Sequence, residues 1–163
     1  MARPREFDEE AALDAATAQF WSRGYESTSV RELAASMGLT SASLYNAFGD
    51  KRALFEQVLE RYVEHGFRDR AKRFEKNLAP RDAIVAFFEE IIRLSVIDSH
   101  RKGCLIVNST LELAPRDEHF HGILDGVLKE IEAFFMRCVS AGQRQGAIPA
   151  TASAADLAKT LLA

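Results

Sequence analysis

The side chains with the clearest chemical potential form one polar face of a short predicted helix. They recur at i, i+1, i+4 and i+5, which places them on the same side of that helix: Ser41, Ala42, Tyr45 and Asn46. An asparagine amide can make two hydrogen bonds to adenine, while hydroxyl and aromatic groups suit phosphates and the methyl group of thymine. This composition is typical of a helix that reads base edges in the major groove of DNA.

A second short helix precedes this face and is predicted to support it. Ser29 stands three residues before Glu32, which is the spacing of a capping box. Gly38 tolerates positive φ and ends this helix, and Thr40 can cap the next one, which runs to Phe48. The two helices and their tight turn predict a helix-turn-helix, although the same layout also occurs in plain structural hairpins.

The residues after this hairpin favour the DNA-binding interpretation. Gly49 ends the second helix and Asp50 can cap a third, which places Lys51 beside a helix N-terminus, where it can meet a phosphate. Contacts to the DNA backbone are assigned to residues around the helix starts, and base contacts to the polar face. The complete predicted DNA-binding set is Thr28, Ser29, Arg31, Thr40, Ser41, Ala42, Ser43, Tyr45, Asn46 and Lys51.

Net charge gives this prediction no support. The chain carries a formal charge of −3 at pH 7. Between residues 1 and 55, six basic side chains stand against eight acidic ones, whereas nucleic-acid-binding domains are usually basic. Non-specific affinity for DNA is therefore expected to be modest, because few phosphates are neutralised.

Residues 7–59 together resemble the DNA-binding head of the TetR family of bacterial transcription regulators. The resemblance is carried by residues at fixed spacing: Phe20, Gly24-Tyr25, Thr28-Ser29-Val30, Ala34, Gly38-Leu39-Thr40, Leu44-Tyr45, Phe48-Gly49 and Lys51-Arg52. It implies a repressor that binds a near-palindromic double-stranded DNA operator as a homodimer. It also implies that a small apolar or aromatic effector releases the repressor from DNA.

Helical periodicity continues along the chain, so the predicted fold class is all-α. A three-helix head is assigned to residues 1–50 and a helical ligand-binding and dimerisation bundle to residues 51–163, with a connecting helix from Lys51 to about Glu75. Residues 81–100 are apolar around most of the helix circumference and are predicted to form a central, buried helix. The family resemblance implies one further helix after Ala163, so the bundle is expected to be truncated there.

A predicted effector pocket depends on the large apolar side chains of the bundle, which outnumber those needed for its helix seams. The predicted lining is Phe67, Phe74, Phe88, Ile91, Val107, Thr110, Leu111, Phe120 and Leu124. Thr110 or Asn108 is expected to supply a polar contact to the ligand. A filled hydrophobic core is the alternative interpretation of the same residues.

Cys104 is a second candidate sensor. It is predicted near a helix N-terminus, close to Arg101 and Lys102, and these surroundings favour a reactive thiolate. Residues 102–108 also resemble a TetR subgroup in which some members sense electrophiles or oxidants through a cysteine at this place. The alternative is a small buried side chain, which is the commoner role of a free cysteine.

Other function classes find little support. The sequence contains no P-loop, Rossmann fingerprint or nucleophile elbow, and His119 and His121 are spaced to point to different sides of a helix, so no enzyme, cofactor or metal site is predicted. No apolar run approaches the length of a membrane span, which predicts a cytoplasmic protein without a membrane partner. The remaining alternative is a helical ligand carrier or interaction module whose helix-turn-helix does not bind DNA.

Overall fold

The computed structural model describes residues 7–163, and this range consists of helices and their connections, which confirms the all-α fold. The helices are α1 (Glu9–Arg23), α2 (Val30–Ser36), α3 (Ser41–Phe48), α4 (Lys51–Val63), α5 (Asp69–Asn77), α6 (Pro80–Ile97), α7 (Leu105–Leu113), α8 (Glu118–Arg144) and α9 (Ala154–Leu162). Within the described range, no helix has both the length and the apolar content needed to cross a membrane.

Side-chain caps fix the starts of the helices in the head. Each cap accepts a hydrogen bond from a backbone N–H two or three residues on, and the caps are Asp8, Ser29, Thr40 and Asp50. The predicted capping box is complete, because the Glu32 carboxylate accepts in return from the Ser29 amide at 2.9 Å. Gly38 has a φ of 67° after α2, a left-handed conformation that favours glycine and ends the helix.

Loss of the Asp50 cap is expected to destabilise the protein by about 1 kcal/mol. In Asp50→Ala the Ala53 amide loses the carboxylate that it now contacts at 2.8 Å. Asp50→Asn keeps an acceptor oxygen at the same place and is expected to retain most of the stability. Urea unfolding of both variants measures the difference, and equal losses would contradict this role for the carboxylate.

One hydrophobic core joins the head to the rest of the molecule. Phe20, Leu33, Leu44 and Phe55, which come from the four helices α1 to α4, are each no more than 1% exposed. Phe120 of α8 packs in the same core with no exposed surface. Burial of these large side chains therefore holds the N-terminal part of α8 against the head.

A second core lies between α5, α6, the C-terminal half of α8, and α9. Phe87, Phe134 and Phe135 form its aromatic centre, with ring centroids 5.2 to 5.3 Å apart. Phe67 packs against both cores from the segment between α4 and α5. That segment, Glu64–Arg68, is a π-helical turn around Gly66, so the connector remains helical but changes its pitch where the glycine interrupts it.

The prediction that residues 81–100 form a buried helix is wrong for the second half of that helix. Ala83, Ile84 and Phe87 of α6 are buried, whereas Ile92 is 61% and Val96 is 79% exposed. The first half packs between α5 and α8, and α6 extends past these partners. Apolar side chains around the whole circumference therefore do not imply burial where the neighbouring helices cover only one end.

Candidate DNA-binding surface and its contacts with the helical body

Helix α3 presents the predicted polar face to solvent because its opposite face is anchored in the core. Leu44 is fully buried and Phe48 is 3% exposed, while Tyr45 is 50% exposed. Ser41, Ala42 and Asn46 also lie exposed on the outer side of the helix: the structure thus brings all four members of the predicted reading face together. Hydroxyl, phenol and amide groups on one exposed helical face can contact base edges and phosphates.

Cationic side chains lie on the helices before and after α3. Arg31 lies exposed in the first turn of α2, and Lys51 opens α4. The Lys51 Nζ lies 4.3 Å from the centroid of the Tyr25 ring, so a cation–π contact restricts where this charge can lie. The helix starts also hold the hydroxyls of Ser29 and Thr40, which act as caps and bond to Glu32 and Ser43.

Thr28 is a correction to the predicted contact set. Its side chain has no exposed surface, and its hydroxyl donates to the carbonyl oxygen of Gly24 at 2.6 Å. A hydroxyl that is buried and already bonded cannot reach a phosphate from this position. Thr28 thus stabilises the connection between α1 and α2. The sequence alone does not distinguish this structural role from a DNA contact, because residues of both kinds occur at helix starts.

Acidic side chains of α1 are paired with a cation from α4. Arg61 donates to the carboxylate of Asp14 at 3.0 and 3.1 Å and also to that of Glu10. Glu32 of α2 is likewise paired with Arg23 at 2.7 Å. Arg61 lies outside residues 1–55, so its two pairs offset part of the acidic excess counted there, whereas Arg23 and Glu32 both already belong to that count.

The connection between α1 and α2 is held by a carboxylate from α7. Glu112 accepts hydrogen bonds from the backbone amides of Tyr25 at 3.0 Å and Glu26 at 2.9 Å. Gly24 makes this approach possible, since a Cβ built there would lie only 2.9 Å from the Glu112 carboxylate and the φ of 83° suits glycine. A backbone segment of the head is thus bound directly to the helical body.

A second contact joins the start of α4, directly after the head, to the start of α8. Arg52 of α4 donates to both carboxylate oxygens of Asp117, at 2.5 and 3.2 Å, and its guanidinium lies 5.0 Å from the centroid of the Phe120 ring. Asp117 also caps α8 by accepting from the amides of His119 and Phe120. The Arg52 guanidinium holds the pKa of the Asp117 carboxyl below its ordinary value.

This pair is expected to lose its stabilising effect in acid. Because the native pKa of Asp117 is lowered, its contribution is complete above the ordinary aspartate pKa of about 3.9 and disappears as the pH falls through the native value. Asp117→Asn keeps the helix cap but removes the charge. We expect it to destabilise the protein at neutral pH and to approach the wild type only as the pH falls through the lowered native pKa of Asp117, as measured by urea unfolding. A difference that persists unchanged in acid would contradict this prediction.

Two family models divide the chain between them. The model of bacterial regulatory proteins of the tetR family matches residues 12–58, and the tetracyclin repressor-like C-terminal domain matches residues 80–163. The chain belongs to the TetR family. The first match contains α2, the turn at Gly38 and α3, and therefore includes the exposed polar face of α3. The predicted function class, DNA-binding transcriptional regulation, is therefore confirmed.

Individual relatives agree with this assignment over most of the chain. The transcriptional repressor ComR of Escherichia coli K12 is 29% identical over 98% of this chain and 76% of its own length. The regulator YezE of Bacillus subtilis 168 is 30% identical over 90% of this chain and 75% of its own length. The solved structure of a cysteine mutant of the TetR-family regulator CifR, complexed with 26-bp double-strand operator DNA, has a TM-score of 0.87 at 29% identity and covers 99% of this chain and 84% of that one.

The effector pocket predicted from apolar side chains does not form as one cavity in this TetR-family chain. Phe120 and Leu124 are fully buried in the core shared with the head, whereas Phe74 and Phe88 pack in the second core. Three further members are exposed: Ile91, Val107 and Leu111. Thr110 donates its hydroxyl to the carbonyl oxygen of Ile106, and Phe67 bridges the two cores. The filled-core alternative explains the buried members of the set.

Cys104 lies exposed immediately before α7. Its Sγ is 3.9 Å from the hydroxyl of Tyr62, which also accepts a hydrogen bond from the Leu105 amide at 3.4 Å. Burial raises the pKa of the Tyr62 phenol, so this group stays protonated and can donate to the sulfur. The hypothesis that Cys104 senses thiol-reactive compounds stays a prediction.

Proposed function

We propose that this chain is a transcriptional repressor that binds a near-palindromic double-stranded DNA operator as a homodimer and is released by a small effector. The observation that carries the proposal is the exposed polar face of α3, anchored by Leu44 and Phe48, with Arg31 and Lys51 on the helices before and after it. A solved operator complex of the similar regulator CifR supports DNA as the partner. The similar protein ComR is a transcriptional repressor, which supports repression as the direction of regulation.

Within this proposal the surface residues divide between specificity and affinity. Asn46 offers a bidentate contact to adenine, and Tyr45 a planar group for a thymine methyl or a phosphate. Arg31 and Lys51 neutralise backbone phosphates and fix the register of α3 in the groove. Two heads of a dimer reach half-sites about one or two helical turns apart, each turn being roughly 34 Å, and this spacing implies a near-palindrome.

Asn46→Ala and Lys51→Ala are expected to weaken operator binding in different ways. Asn46→Ala should cost about 1–3 kcal/mol and relax the preference at one base pair per half-site. Lys51→Ala should weaken binding to all DNA sequences alike. It should also reduce the salt dependence of binding by about one released ion per head. Fluorescence anisotropy with operator, single-base variants and a salt series separates the two patterns.

Matched controls for these variants lie elsewhere on the surface. Asn77→Ala and Lys76→Ala replace exposed residues at the end of α5 and should leave operator affinity unchanged. Circular dichroism checks that Asn46→Ala and Lys51→Ala keep their helix content. If both variants, together with Tyr45→Ala, bind the operator like the wild type, this face is not the DNA reader.

The homodimer is proposed to form through the outer faces of α8 and α9. Helix α9 packs on α8 around Ala158, which has no exposed surface, so the two helices present one combined face. Sedimentation at the concentrations used for operator binding tests the assembly. This part of the proposal would be contradicted if the chain remained monomeric under DNA-binding conditions and bound a single half-site.

A further inference from the structure

A cleft of about 340 Å³ opens between the head and the helical body, apart from the pocket that the sequence predicts. Its inner wall consists of apolar side chains with almost no exposure, contributed by Phe20 of α1, Phe55 of α4 and Leu105 of α7. Tyr25, from the connection between α1 and α2, adds a half-buried aromatic ring. The rest of the lining is mostly polar or charged, and the volume of the cleft lies at the small end of ligand sites in proteins.

One polar group in the cleft has no partner within the protein. Ser109 of α7 lines the cleft and is only 2% exposed, yet its hydroxyl makes no hydrogen bond within residues 7–163. The next residue shows the usual alternative, since the Thr110 hydroxyl donates to the carbonyl oxygen one turn back. Among residues 7–163 no buried side-chain oxygen or nitrogen lacks a partner, so this hydroxyl is still reached from the cleft. A ligand atom can therefore bond to it without displacing a bond within the protein.

The mouth of the cleft is cationic. Arg101 is exposed there, and in the described part of the chain its guanidinium has no hydrogen-bond or ion-pair partner. Lys102 is half-buried, with its Nζ 4.3 Å from the centroid of the Trp21 ring. Asp98 holds this turn in place by accepting from the Lys102 amide at 2.7 Å. The Glu112 carboxylate also lines the cleft, but the Tyr25 and Glu26 amides already bind it.

We propose that this cleft binds a small carboxylate with an apolar or aromatic body. The body lies against Phe20, Phe55 and Leu105, the Ser109 hydroxyl bonds a polar atom of the ligand, and Arg101 with Lys102 binds the carboxylate. Charge-assisted bonds from a guanidinium to a carboxylate are among the strongest polar contacts available at such a mouth. The inference deepens the proposed function, on which it rests, because it names the place and chemical class of the releasing effector.

Occupation of the cleft acts directly on the joint between head and body. Tyr25 belongs both to the cleft and to the bonded connection between α1 and α2. It lines the cleft, and its amide donates to the Glu112 carboxylate of the opposite wall. A ligand that separates the two walls lengthens this bond and the neighbouring one from Glu26, and so changes how the head is held. Coupling of this kind typically alters affinity for the second partner by about 5–150-fold.

Ligand binding can be followed through Trp21, which lines the cleft and is the only tryptophan of the chain. The probes are benzoate, 3-phenylpropanoate and hexanoate, each compared with its uncharged amide at millimolar concentration. At least one carboxylate is expected to change the Trp21 fluorescence saturably and to bind about tenfold more tightly than its amide, which corresponds to one charge-assisted hydrogen bond. If no carboxylate binds, or an amide binds as well as its acid, the proposed ligand class is overturned.

Variants then test the assigned contacts. Arg101→Gln removes the charge at the mouth, and Ser109→Ala removes the unpartnered hydroxyl. Each substitution is expected to weaken binding of the tightest-binding probe about tenfold while leaving the fold intact. Ser140→Ala, the same substitution at a half-buried position on α8 outside the cleft, is the matched control and should not change binding. Wild-type affinity in both test variants would place the probe elsewhere and overturn the site.

Operator binding separates this inference from the proposed function. With ligand bound, operator affinity is expected to fall by about 5–150-fold in the wild type and by much less in Arg101→Gln at the same ligand concentration. Ligand binding that leaves operator affinity unchanged overturns the coupling through Tyr25 and Glu112. A chain that binds the carboxylate in the cleft but binds no operator refutes the proposed repressor and leaves the ligand site supported.

Discussion

Replacement of Phe120 with alanine is expected to lower the free energy of unfolding by about 3–5 kcal/mol, the usual range for a fully buried phenylalanine. Phe120 has no exposed surface, and its ring centroid lies 5.2 Å from that of Tyr25 and 5.5 Å from that of Phe55. The Arg52 guanidinium lies over the same ring. The substitution therefore removes apolar burial, two edge contacts between aromatic rings and a cation–π contact at the joint between head and body.

Phe134→Ala provides the matched control for Phe120→Ala. Phe134 lies on the same helix and has no exposed surface, but its ring packs against Phe67, Phe87 and Phe135 in the second core. Both variants should lose similar stability in urea unfolding. Only Phe120→Ala is expected to speed amide exchange in the connection between α1 and α2, because only that side chain joins the head. Equal exchange in the two variants would show that Phe120 does not hold the joint.

The head could be predicted in detail because its structure is determined locally. Ser29 and Glu32 form the expected capping box, Gly38 supplies the left-handed turn, and α3 turns Leu44 inward and Tyr45 outward. Each of these features depends on residues within about one or two helical turns of each other, which is the range over which helix periodicity and capping rules apply. The same rules wrongly predicted that Thr28 contacts DNA, because they identify where a helix starts but not how deeply its first residues are buried.

The body could not be predicted to the same depth because its contacts are long-range. The bonds from Tyr25 and Glu26 to Glu112 join residues 87 and 86 positions apart, and no periodic pattern connects such distant segments. The exposed end of α6 shows the same limitation, since an apolar helix surface does not reveal how far its partners extend along it. The functional group that the sequence did not reveal is thus Glu112, the one charged side chain of α7.

Removal of the Glu112 carboxylate is expected to cost about 2 kcal/mol of stability, because two backbone amides lose a charged acceptor and one of them lies partly buried. In Glu112→Ala the Tyr25 and Glu26 amides must bond to water instead, and their hydrogen exchange should accelerate more than that of other head amides. Glu112→Gln retains one acceptor oxygen for the two donors that now lie at 3.0 and 2.9 Å, so an intermediate effect is expected.

The control for the Glu112 variants is Glu89→Ala, which removes an exposed carboxylate from α6 and should leave both stability and exchange unchanged. Operator affinity gives the decisive readout, because the Glu112 bonds hold the backbone that leads into α2 and hence set the position of α3. If the bonded arrangement is the one that binds DNA, Glu112→Ala should weaken operator binding while leaving the reading face itself unaltered. Tighter binding would instead assign the Glu112 bonds to the DNA-free state, and unchanged binding with faster exchange would show that the joint stabilises the fold without controlling the head.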